Sequence, residues 1–234
     1  MSMTHHRVAA GVAALIGVLA VGGCAEGPSV IVIEDNTRER VTLVLDSTAG
    51  KGHSHPYRIS PADMTAVLKG VMVKDRNAII GFGIMKDRQG SPAFSGSLIA
   101  RLAPHLSNAL GQASPRDLVT FYVTKQDEVK GPLVSSGGLL VRDNFMYFML
   151  ANVRTRPSET SNDFSTAIEL DNRDAPLEPI GRFRFSVEFA PAEARVPYTK
   201  ARQQSGYEPY MDDSKLVVID LGRLFGPPGK PPLP

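Results

Sequence analysis

Along the chain an unbroken run of apolar and small residues, from Val8 to Gly23, gives way after residue 29 to short apolar segments separated by polar turns. Residues 30–33 and 41–45 read as two strands joined by the polar turn 34–40. A glycine-rich loop, Ala49-Gly50-Lys51-Gly52-His53-Ser54-His55-Pro56, follows. Ser60-Pro61-Ala62-Asp63 predicts a helix start: Ser60 can cap free N–H groups, Pro61 suits the first helical position and Asp63 complements the dipole. Met64, Val67, Leu68 and Val71 then recur at i, i+3, i+4 and i+7, giving one apolar face, with Gly70 as the stop.

Residues 71–73 and 78–85 read as strands, with a turn over 86–90. Ser95 can cap a second helix carrying Leu98, Leu102, Leu106, Ala109 and Leu110 on one side, ending at Gly111. Pro104 falls inside it and lacks a backbone donor, which predicts a kink or break near Ala103. The rest is strand-like over 118–124, 133–141, 145–153, 164–170, 183–189 and 216–221, with Arg142-Asp143-Asn144 as a hairpin turn. In 183–189 apolar and polar residues alternate strictly, the mark of a strand with one wet face. Ser135-Ser136-Gly137-Gly138 reads as a bulge or bend in its strand.

Strands joined by turns, with the helices in one block, predict an α+β fold: a mostly antiparallel sheet or sandwich-like β domain with two helices, about 60–70 and 95–111, the second kinked or broken at Pro104. The organisation expected is residues 1–23 as an export signal, 24–29 as a short tether, 30–224 as one globular domain and 225–234 as a proline-rich extended tail.

The opening run is too short for a spanning helix, which needs about 20 apolar residues. It suits a removable export signal. It ends Val21-Gly22-Gly23-Cys24, and Cys24 is the only cysteine in 234 residues. These residues resemble the lipobox of bacterial lipoproteins: an aliphatic residue, a loosely chosen one, a small one and the cysteine to be lipidated. The resemblance covers residues 1–24 alone. It implies cleavage between Gly23 and Cys24, thioether lipidation of Cys24, acylation of the new amino terminus with a chain such as palmitate, and residence in the bacterial cell envelope. Ala25, standing where Asp would favour inner-membrane retention, implies the outer membrane facing the periplasm in a Gram-negative cell. Residues 25–29, fully extended, reach roughly 17 Å at about 3.3 Å each, so the domain is expected close to its membrane.

Without Arg7, residues 24–234 hold 25 Lys and Arg against 24 Asp and Glu. This near-neutral balance argues against nucleic acid as a partner. A single cysteine excludes an internal disulfide, so stability rests on core burial, which about 210 residues can supply.

His53 and His55, two positions apart, point to one side of an extended segment and are a candidate Zn²⁺ or Cu²⁺ pair, with Asp46 or His105 as a third ligand. The competing expectation is a solvated loop. No Gly-x-Ser-x-Gly elbow or phosphate-cradling glycine motif occurs, and the carboxylate pairs Asp127-Glu128 and Asp212-Asp213 stand in polar stretches. Residues 195–215 gather Tyr198, Lys200, Arg202, Tyr207 and Tyr210, types favoured at binding surfaces, into a candidate interaction surface. The expectation is a non-enzymatic, membrane-anchored envelope lipoprotein that binds an envelope protein or itself and uses no cofactor. Two alternatives stay open: a carrier or sensor of a small apolar or lipid ligand held between sheet and helices, and an envelope enzyme around His53, His55 and His105.

Overall fold

A computed structural model describes residues 31–75, 90–129, 131–156, 172–180, 184–207 and 212–226. Gly23, Cys24, Tyr210, the strands expected over 78–85 and 164–170, and most of the proline-rich tail lie outside the described residues.

The fold is α+β. A seven-stranded antiparallel sheet is built from β1 (Ile31–Asp35), β2 (Glu39–Leu45), β5 (Asp117–Asp127), β6 (Gly131–Arg142), β7 (Phe145–Thr155), β10 (Leu216–Asp220) and β9 (Arg195–Val196), in that spatial order. A smaller sheet pairs β4 (Ser91–Pro92), β3 (Val71–Asp75) and β8 (Phe185–Phe189). The expected alternation of β8 holds: Phe185, Val187 and Phe189 are buried while Ser186 and Glu188 are partly exposed.

The longer strands are nearly continuously apolar because both faces of the large sheet are covered. On one face Val41, Leu43, Phe121, Phe148, Leu150 and Val217 share a core with the small sheet and with α1 (Pro61–Gly70) and α2 (Gly96–Gln112). On the other, Leu118, Leu140, Tyr147, Met149 and Val218 pack under α3 (Tyr198–Ser205) through Ala201 and Tyr207. A short α4 (Leu221–Phe225) closes the described chain. Two helices were expected; α3 and α4 are additional. α3 carries no apolar stripe, since among its described side chains Ala201 alone is buried, and so it gives no helical period.

The caps act as the sequence implies: the Ser60 hydroxyl accepts from Asp63 N–H and the Ser95 hydroxyl from Leu98 N–H. The expected break at Pro104 does not occur, for α2 runs through it without interruption. Pro104 is exposed, while Leu102, Ala103, Leu106, Ala109 and Leu110 on both sides of it are buried, so packing keeps both halves helical. The Arg142–Asn144 turn forms, with Arg142 paired to Phe145 and Asp143 in the left-handed region at φ 55°. The Ser135–Gly138 bend is a register irregularity between β6 and β7. Gly137 is required there: a Cβ would stand 2.1 Å from the Met149 carbonyl oxygen.

Candidate functional site

Three remote stretches of sequence meet at one end of the large sheet. Asp46 follows β2 directly and opens a loop that leads through His53 and His55 to α1. Arg142 ends β6, and Tyr207 follows α3. The loop is fastened by backbone hydrogen bonds: His53 N–H donates to the Pro115 carbonyl at 2.7 Å and Ser54 N–H to the Val141 carbonyl at 2.8 Å. The Ser54 hydroxyl accepts from Asp143 N–H. Gly52 lets the loop pass Pro115, taking φ 92° where a Cβ would stand 3.2 Å from the proline side chain.

Asp46 is the hub of a buried network. Its Oδ1 accepts from the Thr48 amide at 2.8 Å and the Thr48 hydroxyl at 2.6 Å. Its Oδ2 accepts from His53 Nε2 and from the Tyr207 hydroxyl, each at 2.9 Å. Burial alone would raise the Asp46 pKa, but the His53, Thr48 and Tyr207 donors together hold it down at about 2, so the group is a carboxylate. Burial, then the same carboxylate, pushes the Tyr207 phenol far above its ordinary value and keeps it a donor.

His55 is fixed differently. Val141 N–H donates to its Nε2 at 3.0 Å, so that nitrogen carries no proton and the neutral ring bears its hydrogen on Nδ1. Burial, then the neighbouring His53, lowers its pKa to about 4 against the opposing pull of the Asp117 and Ser114 backbone. The two histidine rings stand on one side of the segment with centroids 5.5 Å apart, as their spacing implies. They are buried, at 5% exposure each, and not in a solvated loop. Nδ1 of each has no hydrogen-bond partner among the described residues.

Asp46 thus joins His53, whereas His105 lies on α2 facing Glu34 at 3.8 Å. Among the described residues no group of three or more His, Cys, Asp and Glu is arranged to hold a metal ion. The donor set explains this: Asp46 already accepts four hydrogen bonds and His55 Nε2 is occupied by Val141.

Of the candidate interaction surface, Lys200 and Arg202 are exposed on α3 and Tyr198 is half-buried. Tyr207 does not belong to that surface. It is 2% exposed and packs edge-on against Tyr147 and His53, with the Arg142 guanidinium 5.2 Å from its ring centre. Beside the network opens a pocket of about 400 Å³ lined by Thr48, Ala49, Gly50, Lys51, Arg142, Gln203, Gln204 and Gly206.

No family model, curated protein or solved structure matches the chain. The pocket's Arg142 was legible in sequence only as a turn residue, and Gln203 and Gln204 carried no signal at all. Neither the charge nor the spacing of these residues marks them, because the pocket is assembled by long-range packing.

Proposed function

We propose that the chain is a lipid-anchored envelope protein whose folded domain is a non-enzymatic binding module, with recognition on α3 and the pocket beside it. The observation that carries this reading is the pinning of α3. Its outer face, with Lys200, Arg202, Gln203 and Gln204, is exposed and polar. Its inner side is locked onto the sheet by buried Ala201, and just beyond its C-terminus Tyr207 is fixed on Asp46. A polar surface held on rigid elements loses little conformational freedom on binding, which is what a recognition site needs. The hydrogen-bonding capacity of Asp46 and Tyr207 is directed into the fold, which supports binding over catalysis. Membrane attachment is supported by the Val21-Gly22-Gly23-Cys24 lipobox and by the few residues between Cys24 and β1.

The test is photo-crosslinking in intact cells from positions 200, 203 and 204, with Cys24→Ala as the untethered control. A discrete adduct lost in the control is the expected result. Absence of any adduct from all three positions would sink the reading.

A second reading, a carrier of an apolar ligand, is favoured by a groove of about 430 Å³ where Phe94, Leu98, Val123 and Leu133 meet. Extraction of the purified protein with organic solvent, followed by mass spectrometry, decides it: a stoichiometric lipid supports a carrier, and none counts against it.

A further inference from the structure

We infer that the pocket between the 48–51 loop and the end of α3 binds an oxyanion, the carboxylate or phosphate group of a small polar ligand. The inference rests on the reading of α3 as a binding face and names the chemistry recognised there.

Arg142 carries the argument. It is 6% exposed, and among the described residues no carboxylate pairs with it. Its contacts are neutral: an Nη2 hydrogen bond to the Ala49 carbonyl at 2.8 Å and the Tyr207 ring face. Desolvating a guanidinium is costly unless an anion meets it, so buried arginines are ordinarily paired. This one is held by a carbonyl and a ring, both of which fix its plane, and it lines an open pocket.

The other lining residues agree. Lys51 adds a second cation and Gln203 and Gln204 carboxamide donors, while the Thr48 hydroxyl is committed to Asp46, and the lining residues described include no Asp or Glu. Asp46 is not part of the wall, and its charge is met by four donors of its own. The Gly206 N–H returns to the Arg202 carbonyl and so satisfies one carbonyl of the last α3 turn. A fixed guanidinium fork with an ammonium across a small cavity is the arrangement that receives planar carboxylates and phosphates, in charge-assisted hydrogen bonds stronger than neutral ones.

The experiment uses the full-length chain in detergent and reads thermal unfolding and calorimetric titration with sodium phosphate and, separately, sodium acetate, against sodium chloride at matched ionic strength. Saturable stabilisation by phosphate or acetate over chloride is expected, and the stronger of the two identifies the group. Lys51→Glu, an exposed substitution, is expected to weaken that binding about tenfold or more, and Arg142→Lys, which keeps charge without the fork, to weaken it as well. No stabilisation beyond chloride, or equal binding by Lys51→Glu, overturns the inference. Crosslinked adducts from α3 without anion binding would leave the binding-module reading standing and remove this one; anion binding without adducts would do the reverse.

Discussion

The Tyr207 hydroxyl donates to Asp46 Oδ2 at 2.9 Å across 161 positions of sequence, and this bond joins the loop after β2 to the end of α3. Because both groups are buried, losing the donor leaves a carboxylate with one unmet acceptor site, which costs roughly 1–2 kcal/mol. Tyr207→Phe is expected to lower stability by about that amount in urea unfolding while the adducts from α3 persist. Tyr207→Ala also empties a ring-sized space among Tyr147, His53 and Arg142 and should cost about 3–5 kcal/mol. A Tyr207→Phe protein as stable as the parent would show that the bond contributes nothing.

Acid should destabilise the domain in two windows. His55 has a folded pKa near 4 against an ordinary 6.5, so between these values the unfolded chain binds a proton that the folded chain refuses. Its contribution is therefore present above pH 6.5 and is lost as pH falls toward 4. Asp46, at about 2 against an ordinary 3.8, contributes above pH 3.8 and loses that contribution as pH falls toward 2. Unfolding free energies measured from pH 7 to 2 should fall through both ranges. His55→Gln is expected to flatten the upper window and Asp46→Asn the lower. An unchanged slope between pH 6.5 and 4 in His55→Gln would contradict the assignment.

Local signals made the frame of the fold legible, and the site is where they stop. Ser60 and Ser95 announce helix starts through capping chemistry that operates within three residues, and Phe185-Ser186-Val187-Glu188-Phe189 shows a strand by its own alternation. β7 shows no such alternation, because α3 covers the face to which Tyr147 and Met149 point, while Phe148 and Leu150 face the opposite core. The histidine spacing placed His53 and His55 on one side but said nothing of burial, which depends on Tyr207 and Val141. Tyr207 reads in sequence as a surface residue for the same reason: its partner Asp46 is 161 positions away, and nothing local links the two. At Pro104 the local rule lost to tertiary packing.

Gly137 marks a close approach of β6 to β7. A methyl group there meets the Met149 carbonyl at 2.1 Å and the Phe121 ring at 3.0 Å, and neither a ladder carbonyl nor a buried ring can move freely. Gly137→Ala is expected to cost about 2 kcal/mol or more by overpacking, read as a lower denaturation midpoint. Gly111→Ala is the control: a Cβ there meets nothing within 4 Å, and the helix gains about 0.5–1 kcal/mol from alanine. Opposite signs for these two substitutions would separate the crowding at Gly137 from a general effect of removing glycine.

Pro104 offers a substitution that should stabilise. It sits nine positions into α2 with its ring exposed, so its removal uncovers no core, while Leu102, Ala103 and Leu106 keep their burial. Alanine restores an N–H able to reach the Ala100 carbonyl and relieves the ring's crowding of the preceding turn, effects that make a mid-helix proline unfavourable by about 3 kcal/mol. Part of that gain is offset because proline also restricts the unfolded chain, a benefit of about 0.4–1 kcal/mol that alanine gives up. Pro104→Ala is therefore expected to raise stability by roughly 2–2.6 kcal/mol in urea unfolding, with no change at the Asp46 network. A loss of stability would mean that proline at this position itself helps to seat α2 against α1 and the sheet.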